Sequence, residues 1–171
     1  VFWFGDMPFA AVCRDGGSPV SNIFVIFARI FNLNRMAYNL LKGKKGLIFG
    51  ALNEQSIAWK VAERAVEEGA EIVLTNTAVS IRMGTIGRLA EKCNTIVVPA
   101  DATSVEDLEN LIDKTMEHFG GKFDFMLHSI GMSPNVRKGR TYDDLDYDYL
   151  SKTLDISAIS FHKAIQVARK K

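Results

Sequence analysis

From Lys44 onward, short apolar runs alternate with segments of helical periodicity. Gly46-Leu47-Ile48-Phe49-Gly50 is an apolar run ending in glycine, the pattern of a buried parallel strand. Ser56 to Glu68 then repeats at helical spacing. Ile57, Val61 and Ala65, joined by Ala58, Ala62 and Val66, predict its buried face, and Lys60, Glu63, Arg64 and Glu67 its outer side. Gly69 is placed to close that helix in a left-handed conformation. Glu71 to Thr75 predicts a second strand, and Thr95 to Pro99 a third. A weaker helix is expected between them, over Ile81 to Lys92, diluted by Gly84 and Gly87. Thr103-Ser104-Val105-Glu106 has capping-box spacing. Leu108, Leu111, Ile112, Thr115 and Phe119 follow as one helical face, stopped by Gly120-Gly121. Phe123 to His128 predicts a fourth strand, and Asp143 to Lys171 is helical in character with a break near Asp155.

Strands and helices in strict alternation, joined by short turns, predict the α/β class. The expected architecture is a doubly wound parallel sheet of strands 1–4 with flanking helices and right-handed crossovers. In such sheets ligands bind beyond the C-terminal strand ends, where strand order reverses. The residues just after each strand are therefore the candidates for chemistry.

Composition narrows the classes. The chain has 171 residues, 47% hydrophobic and 24% charged, with a net charge of +1. That excludes wholesale disorder and a disulfide-dense scaffold, and the balanced charge argues against a nucleic-acid partner. Cys13 and Cys93 are far apart with no His at ligand spacing, so no metal site is expected and both read as free thiols. Residues 1–35 are atypical: they are rich in Phe and carry Gly16-Gly17-Ser18-Pro19. Their apolar stretch Ile23–Leu33 is far short of the roughly 20 residues that span a bilayer. Residues 1–35 are read as an upstream or accessory extension outside the fold, and Met36 as the natural start.

After strand one, Gly50 allows a tight turn and Ser56 either caps the next helix or bonds a phosphate oxygen, which a helix N-terminus favours. After strand two come Thr75, Asn76 and Thr77, with no acidic residue for a ribose, so NADH or NADPH is open on chemistry alone. Asp101, after strand three, could accept from an adenine amine or cap its own loop. After strand four comes His128-Ser129-Ile130-Gly131-Met132-Ser133. There Gly131 offers close backbone approach, and His128 is read as a satisfied core histidine.

Together these signatures resemble the enoyl-acyl-carrier-protein reductases of bacterial fatty-acid synthesis, a divergent branch of the short-chain dehydrogenases. The carrying residues are Gly50 with Ser56-Ile57, Asp101, His128-Ser129-Ile130-Gly131, and Asp155-Ile156-Ser157 ahead of Phe161. Commoner short-chain dehydrogenases carry a glycine-rich first turn and Asn-Asn-Ala-Gly after strand four; this chain has neither.

The resemblance implies that residues 36–171 are the N-terminal part of a dinucleotide-binding Rossmann domain. It implies cofactor contacts by Gly50, Ser56, Ile57, Thr77, Asp101, Ala102, Ile130 and Gly131, with Ser133 at the substrate mouth. The implied cofactor is NADH, and the implied reaction reduces a trans-2-enoyl thioester on acyl carrier protein. Hydride goes to the β-carbon, a Tyr hydroxyl stabilises the thioester oxyanion and a Lys holds the ribose. A cytoplasmic homotetramer with no membrane span is implied as well.

The family spaces that Tyr and Lys as Y-x(6)-K after a fifth strand. Tyr142, Tyr147 and Tyr149 have no such Lys, and Tyr38 with Lys45 precedes strand one. The catalytic pair is therefore expected beyond Lys171, and the chain is expected to be a C-terminally truncated piece, inactive alone. Two alternatives remain: another short-chain dehydrogenase/reductase, or a non-catalytic dinucleotide-binding module.

Overall fold

Four parallel strands carry the part of the protein that the structure, a computed structural model, describes: residues 37–171. The expectation for residues 1–35 lies outside the described residues. The strands are β1 (Lys45–Phe49), β2 (Glu71–Asn76), β3 (Val97–Pro99) and β4 (Phe125–His128), in spatial order β3-β2-β1-β4. Phe49 is level with Thr75 on one side and with His128 on the other, and Thr75 is level with Val98. Strand order therefore reverses at β1, and the strand ends open on one rim.

The period-two alternation of the strands sorts the core into two layers. Ile48, Ile72 and Leu74 face α1 (Ile57–Glu67), α2 (Ala78–Met83) and α3 (Ile86–Cys93). Leu47, Phe49, Val73 and Val98 face the opposite layer, which includes α4 (Val105–Phe119). The face predicted for α4 is the observed one: Leu108, Leu111, Ile112, Thr115 and Phe119 are all buried. Fully burying each of the aliphatic ones contributes about 1.5–3 kcal/mol.

After β4 the chain forms α5 (Pro134–Arg137), a 3-10 turn (Tyr142–Asp144) and α6 (Tyr147–Leu154). A π-helical turn (Asp155–Ile159) then runs directly into α7 (Ser160–Lys170). The expected break near Asp155 is thus an over-wide turn in a continuing helix. Ala164 and Val167 of α7 complete the second layer.

Gly69 takes φ +90°, its N–H donating to the carbonyl of Val66 and that of Ala70 to Ala65, so α1 ends in a Schellman motif as expected.

Four expectations need correction. The buried face of α1 is Ala58, Trp59, Ala62 and Ala65, while Ile57 is 74% and Val61 36% exposed. Small alanines let the helix axis lie close to the sheet, which rotates the branched residues outward. The helix expected over Ile81–Lys92 is two helices, because Gly84 is extended and docks on the loop after β1. A Cβ at Gly84 would lie 2.6 Å from the Leu52 carbonyl oxygen, and Thr85 N–H donates to that same oxygen at 3.0 Å. β3 and β4 begin two residues later than predicted, at Val97 and Phe125. Finally, the cap of α4 is Ser104 rather than Thr103. Ser104 Oγ accepts from the Asp107 N–H, while Thr103 turns its hydroxyl to Asp101.

Candidate functional site

A cavity of about 440 Å³ opens at the rim where the strand ends meet. Gly50, Thr77, Asp101, Ala102, Ile130 and Gly131 all line it, so one concavity gathers residues from the loops after all four strands. Its size is that of a small-molecule or cofactor site.

The loops are locked to one another before any ligand is considered. Gly50 has φ +92°, and a Cβ there would lie 2.1 Å from the Ser129 carbonyl oxygen. Only glycine lets the turns after β1 and β4 approach so closely. Asn76 ties the turns after β1 and β2: its Nδ2 donates to the Ala51 carbonyl at 2.9 Å, and its Oδ1 accepts from Thr77 N–H at 2.9 Å. Thr77 in turn caps α2, its Oγ1 accepting from Ser80 N–H. Asp101 Oδ1 accepts from the Thr103 N–H at 2.9 Å and its hydroxyl at 2.7 Å. The other carboxylate oxygen takes no hydrogen bond among the described residues, which leaves it free to accept from a ligand amine. A Cβ at Gly131 would meet nothing within 4 Å, so this glycine leaves open space instead of relieving a clash.

Ser56, Ile57 and Ser133 are not among the residues lining the cavity. Ser56 makes no side-chain cap on α1. Its Oγ accepts from the N–H groups of Leu52 and Asn53 and donates to the Asn53 carbonyl, holding the loop in a tight turn. Ile57, the first residue of α1, lines a separate groove with Leu41 and Val61. Ser133 caps α5, accepting from Val136 N–H. The Leu52–Ser56 turn folds back on itself, closed by the Ser56 N–H and hydroxyl donating to the Asn53 carbonyl, and this carries Ser56 and Ile57 away from the cavity.

His128 Nε2 lies 2.8 Å from Ser160 Oγ. That hydroxyl donates to the Ile156 carbonyl at 2.7 Å, so its lone pair accepts and His128 carries its proton on Nε2. The ring lies 5.3 Å from that of Phe161 and 6.0 Å from that of Phe49. Burial holds its pKa below the ordinary value, which keeps the imidazole neutral. This is the satisfied histidine that the sequence pattern predicts.

Among the lining residues that sequence reasoning did not single out, Arg137 and Ile156 bear most on the chemistry. Arg137 of α5 supplies the one positive charge of the lining, against the one carboxylate of Asp101; no spacing in the sequence pointed to it. Ile156 reaches the cavity from the π turn. It stands in the Asp155-Ile156-Ser157 signature, so the signal was present without its geometry. None of the described tyrosines lines the cavity. No group of three or more His, Cys, Asp or Glu among the described residues is arranged to hold a metal, and no described helix is long and apolar enough to cross a membrane.

Comparison with known proteins gives the family. Residues 50–171 match the family model described as enoyl-(acyl carrier protein) reductase. An NADH enoyl-[acyl-carrier-protein] reductase of Rhizobium meliloti is 33% identical over 122 residues, which is 71% of this chain and 45% of that protein. One from Rickettsia felis is 38% identical over 128 residues, 73% of this chain and 48% of that protein. The crystal structure of the Anaplasma phagocytophilum reductase in complex with NAD superimposes with a TM-score of 0.69 at 28% identity, covering 77% of this chain and 50% of that one. The chain spans about half the length of the relatives it matches. With the family model covering most of the chain and the parallel sheet shared, this polypeptide belongs to the enoyl-(acyl carrier protein) reductase family.

Proposed function

We propose that residues 37–171 form the cofactor-binding part of an NADH-dependent reductase acting on trans-2-enoyl thioesters of acyl carrier protein. The observation that supports it best is the convergence of the loops after all four strands on one cavity. That cavity combines a half-free carboxylate at Asp101, a locked glycine turn at Gly50 and open space at Gly131.

These residues fit an adenine dinucleotide. Asp101 would accept from the adenine amine, with Ala102 beside the ring. Thr77 would lie near the adenosine ribose, and Ile130 and Gly131 would border the nicotinamide end. Ser133, one residue beyond the lining residue Met132, would stand at the substrate mouth. Ser56 and Ile57 would act by shaping the turn and presenting the start of α1 to the pyrophosphate, where free N–H groups and the helix dipole favour negative charge. The bound cofactor supplies a hydride to the β-carbon of the enoyl group. The chain's own residues hold the adenine half and keep His128 neutral and out of proton transfer. A Tyr–Lys pair for the oxyanion and ribose is not supplied by the described cavity, so this segment alone binds the cofactor without turnover. In the assembled enzyme the reading includes a homotetramer serving acyl carrier protein in the cytoplasm.

Titration with NADH, followed by fluorescence, should give a saturable signal. NADH oxidation with a crotonyl thioester should stay at the level of a control without protein. Absence of saturation would refute the cofactor reading, and turnover would show that the proton-transfer groups lie within this chain.

A further inference from the structure

The π turn holds the loop after β4, and α7, which continues it, reaches the loop after β3 through Lys163. Ser157 Oγ accepts from the Met132 N–H at 3.1 Å and donates to the Met132 carbonyl at 3.3 Å, which fixes the loop after β4. One turn further on, Lys163 Nζ donates to the Thr103 carbonyl at 3.0 Å and to Asp155 Oδ1 at 2.9 Å. Lys163 is 27% exposed, and its ammonium bridges elements 60 residues apart in the chain. Thr103 is the residue whose N–H and hydroxyl hold the Asp101 carboxylate. Asp101 is thus oriented by Thr103, Thr103 by Lys163, and Lys163 by the carboxylate that opens the π turn. A regular α-helical turn would advance each later residue by a different angle, so the widened turn sets the direction from which Lys163 reaches the β3 loop.

We propose that Lys163 is a positioning residue for the adenine end of the cofactor site, bracing the Asp101–Thr103 loop against the π turn through the Thr103 carbonyl and Asp155. The proposal rests on the dinucleotide reading above and goes beyond it, since Lys163 does not line the cavity. Its ammonium makes two charge-assisted hydrogen bonds, the stronger kind. Their loss frees the Thr103 carbonyl and lets the loop carrying Asp101 sample orientations that do not meet an adenine amine.

The test uses the full-length protein and two half-cofactors, adenosine 5′-monophosphate and nicotinamide mononucleotide, alongside NADH. Lys163→Met keeps the aliphatic stem and removes the charge. It should weaken adenosine monophosphate and NADH by about tenfold, the low end of one charge-assisted hydrogen bond, and leave the nicotinamide half unchanged. Lys163→Arg, which can still bridge a carbonyl and a carboxylate, should restore most of the loss. Asp155→Asn, which leaves the lysine in place but without its counter-charge, provides a second route should Lys163→Met fold poorly, with the same selective loss expected. Unchanged binding of adenosine monophosphate in these variants, or equal loss of both halves, overturns the positioning role while the dinucleotide reading stands. Wild-type protein that binds none of the three probes overturns both.

Discussion

Gly50 carries the tightest constraint of any single residue in the site. With φ +92° and the Ser129 carbonyl where its side chain would be, both backbone strain and overlap oppose substitution. Gly50→Ala should cost about 3 kcal/mol in denaturant unfolding, combining left-handed strain with overpacking. Gly131→Ala, with open space around it, should leave stability within about 0.5 kcal/mol in the same measurement. The two glycines look alike in the sequence, where Gly50 reads as a tight turn and Gly131 as room for close approach; the fold sets a distant carbonyl against the first and open space beside the second. Residue identity and spacing placed Gly50, Asp101 and Gly131 at strand ends. What each glycine faces depends on a loop far away in the chain, and no local pattern encodes that. Ser56 illustrates the same limit: its hydroxyl had several partners within reach, and the fold directed it to the loop amides of Leu52 and Asn53.

At the scale of elements, α4 was readable because its apolar positions follow one face without interruption. Its N-terminus was misplaced by one residue because Thr103 and Ser104 both suit a cap, and Asp101 captured the threonine. Ser104→Ala should therefore destabilise by about 1 kcal/mol, and Thr103→Ala by less, in matched denaturant titrations. Glu63 of α1 links to α3 at the edge of their buried contact, accepting from Lys92 Nζ at 2.7 Å, and also accepts from Trp59 Nε1 of its own helix at 3.0 Å. These donors, Lys92 first, lower its pKa from 4.5 to about 2. A lowered carboxylate pKa stabilises the fold above the unfolded value. That contribution is complete above about pH 4.5 and lost as pH falls toward 2. Unfolding curves across this window should lose stability with acid, and Glu63→Gln should flatten that dependence. The α1 face was misread for a different reason. Ile57 and Val61 have the stronger apolar character, but packing against the sheet favours the smaller stripe of Ala58, Ala62 and Ala65.

For the molecule as a whole, alternation of strands and helices was enough to foresee the parallel sheet and its open rim. The order β3-β2-β1-β4 places β4 at an edge, beside a groove lined by Phe125, Met126, Phe161 and Ile165. An unpaired, apolar strand edge is a template for association. Light scattering of this chain should rise steeply with concentration, and amides of β4 should exchange with deuterium faster than those of β1. Phe49 is level with both Thr75 and His128, so all the turns of the rim take their height from one central strand. It follows that β1 tolerates no change of length. A single residue inserted between Leu47 and Gly50 would invert which side of the sheet each later position faces and lift the first turn above its neighbours. The same insertion in the segment before Lys45 would be absorbed by the connecting loop. Evolution can rewrite the letters of this strand far more easily than it can recount them.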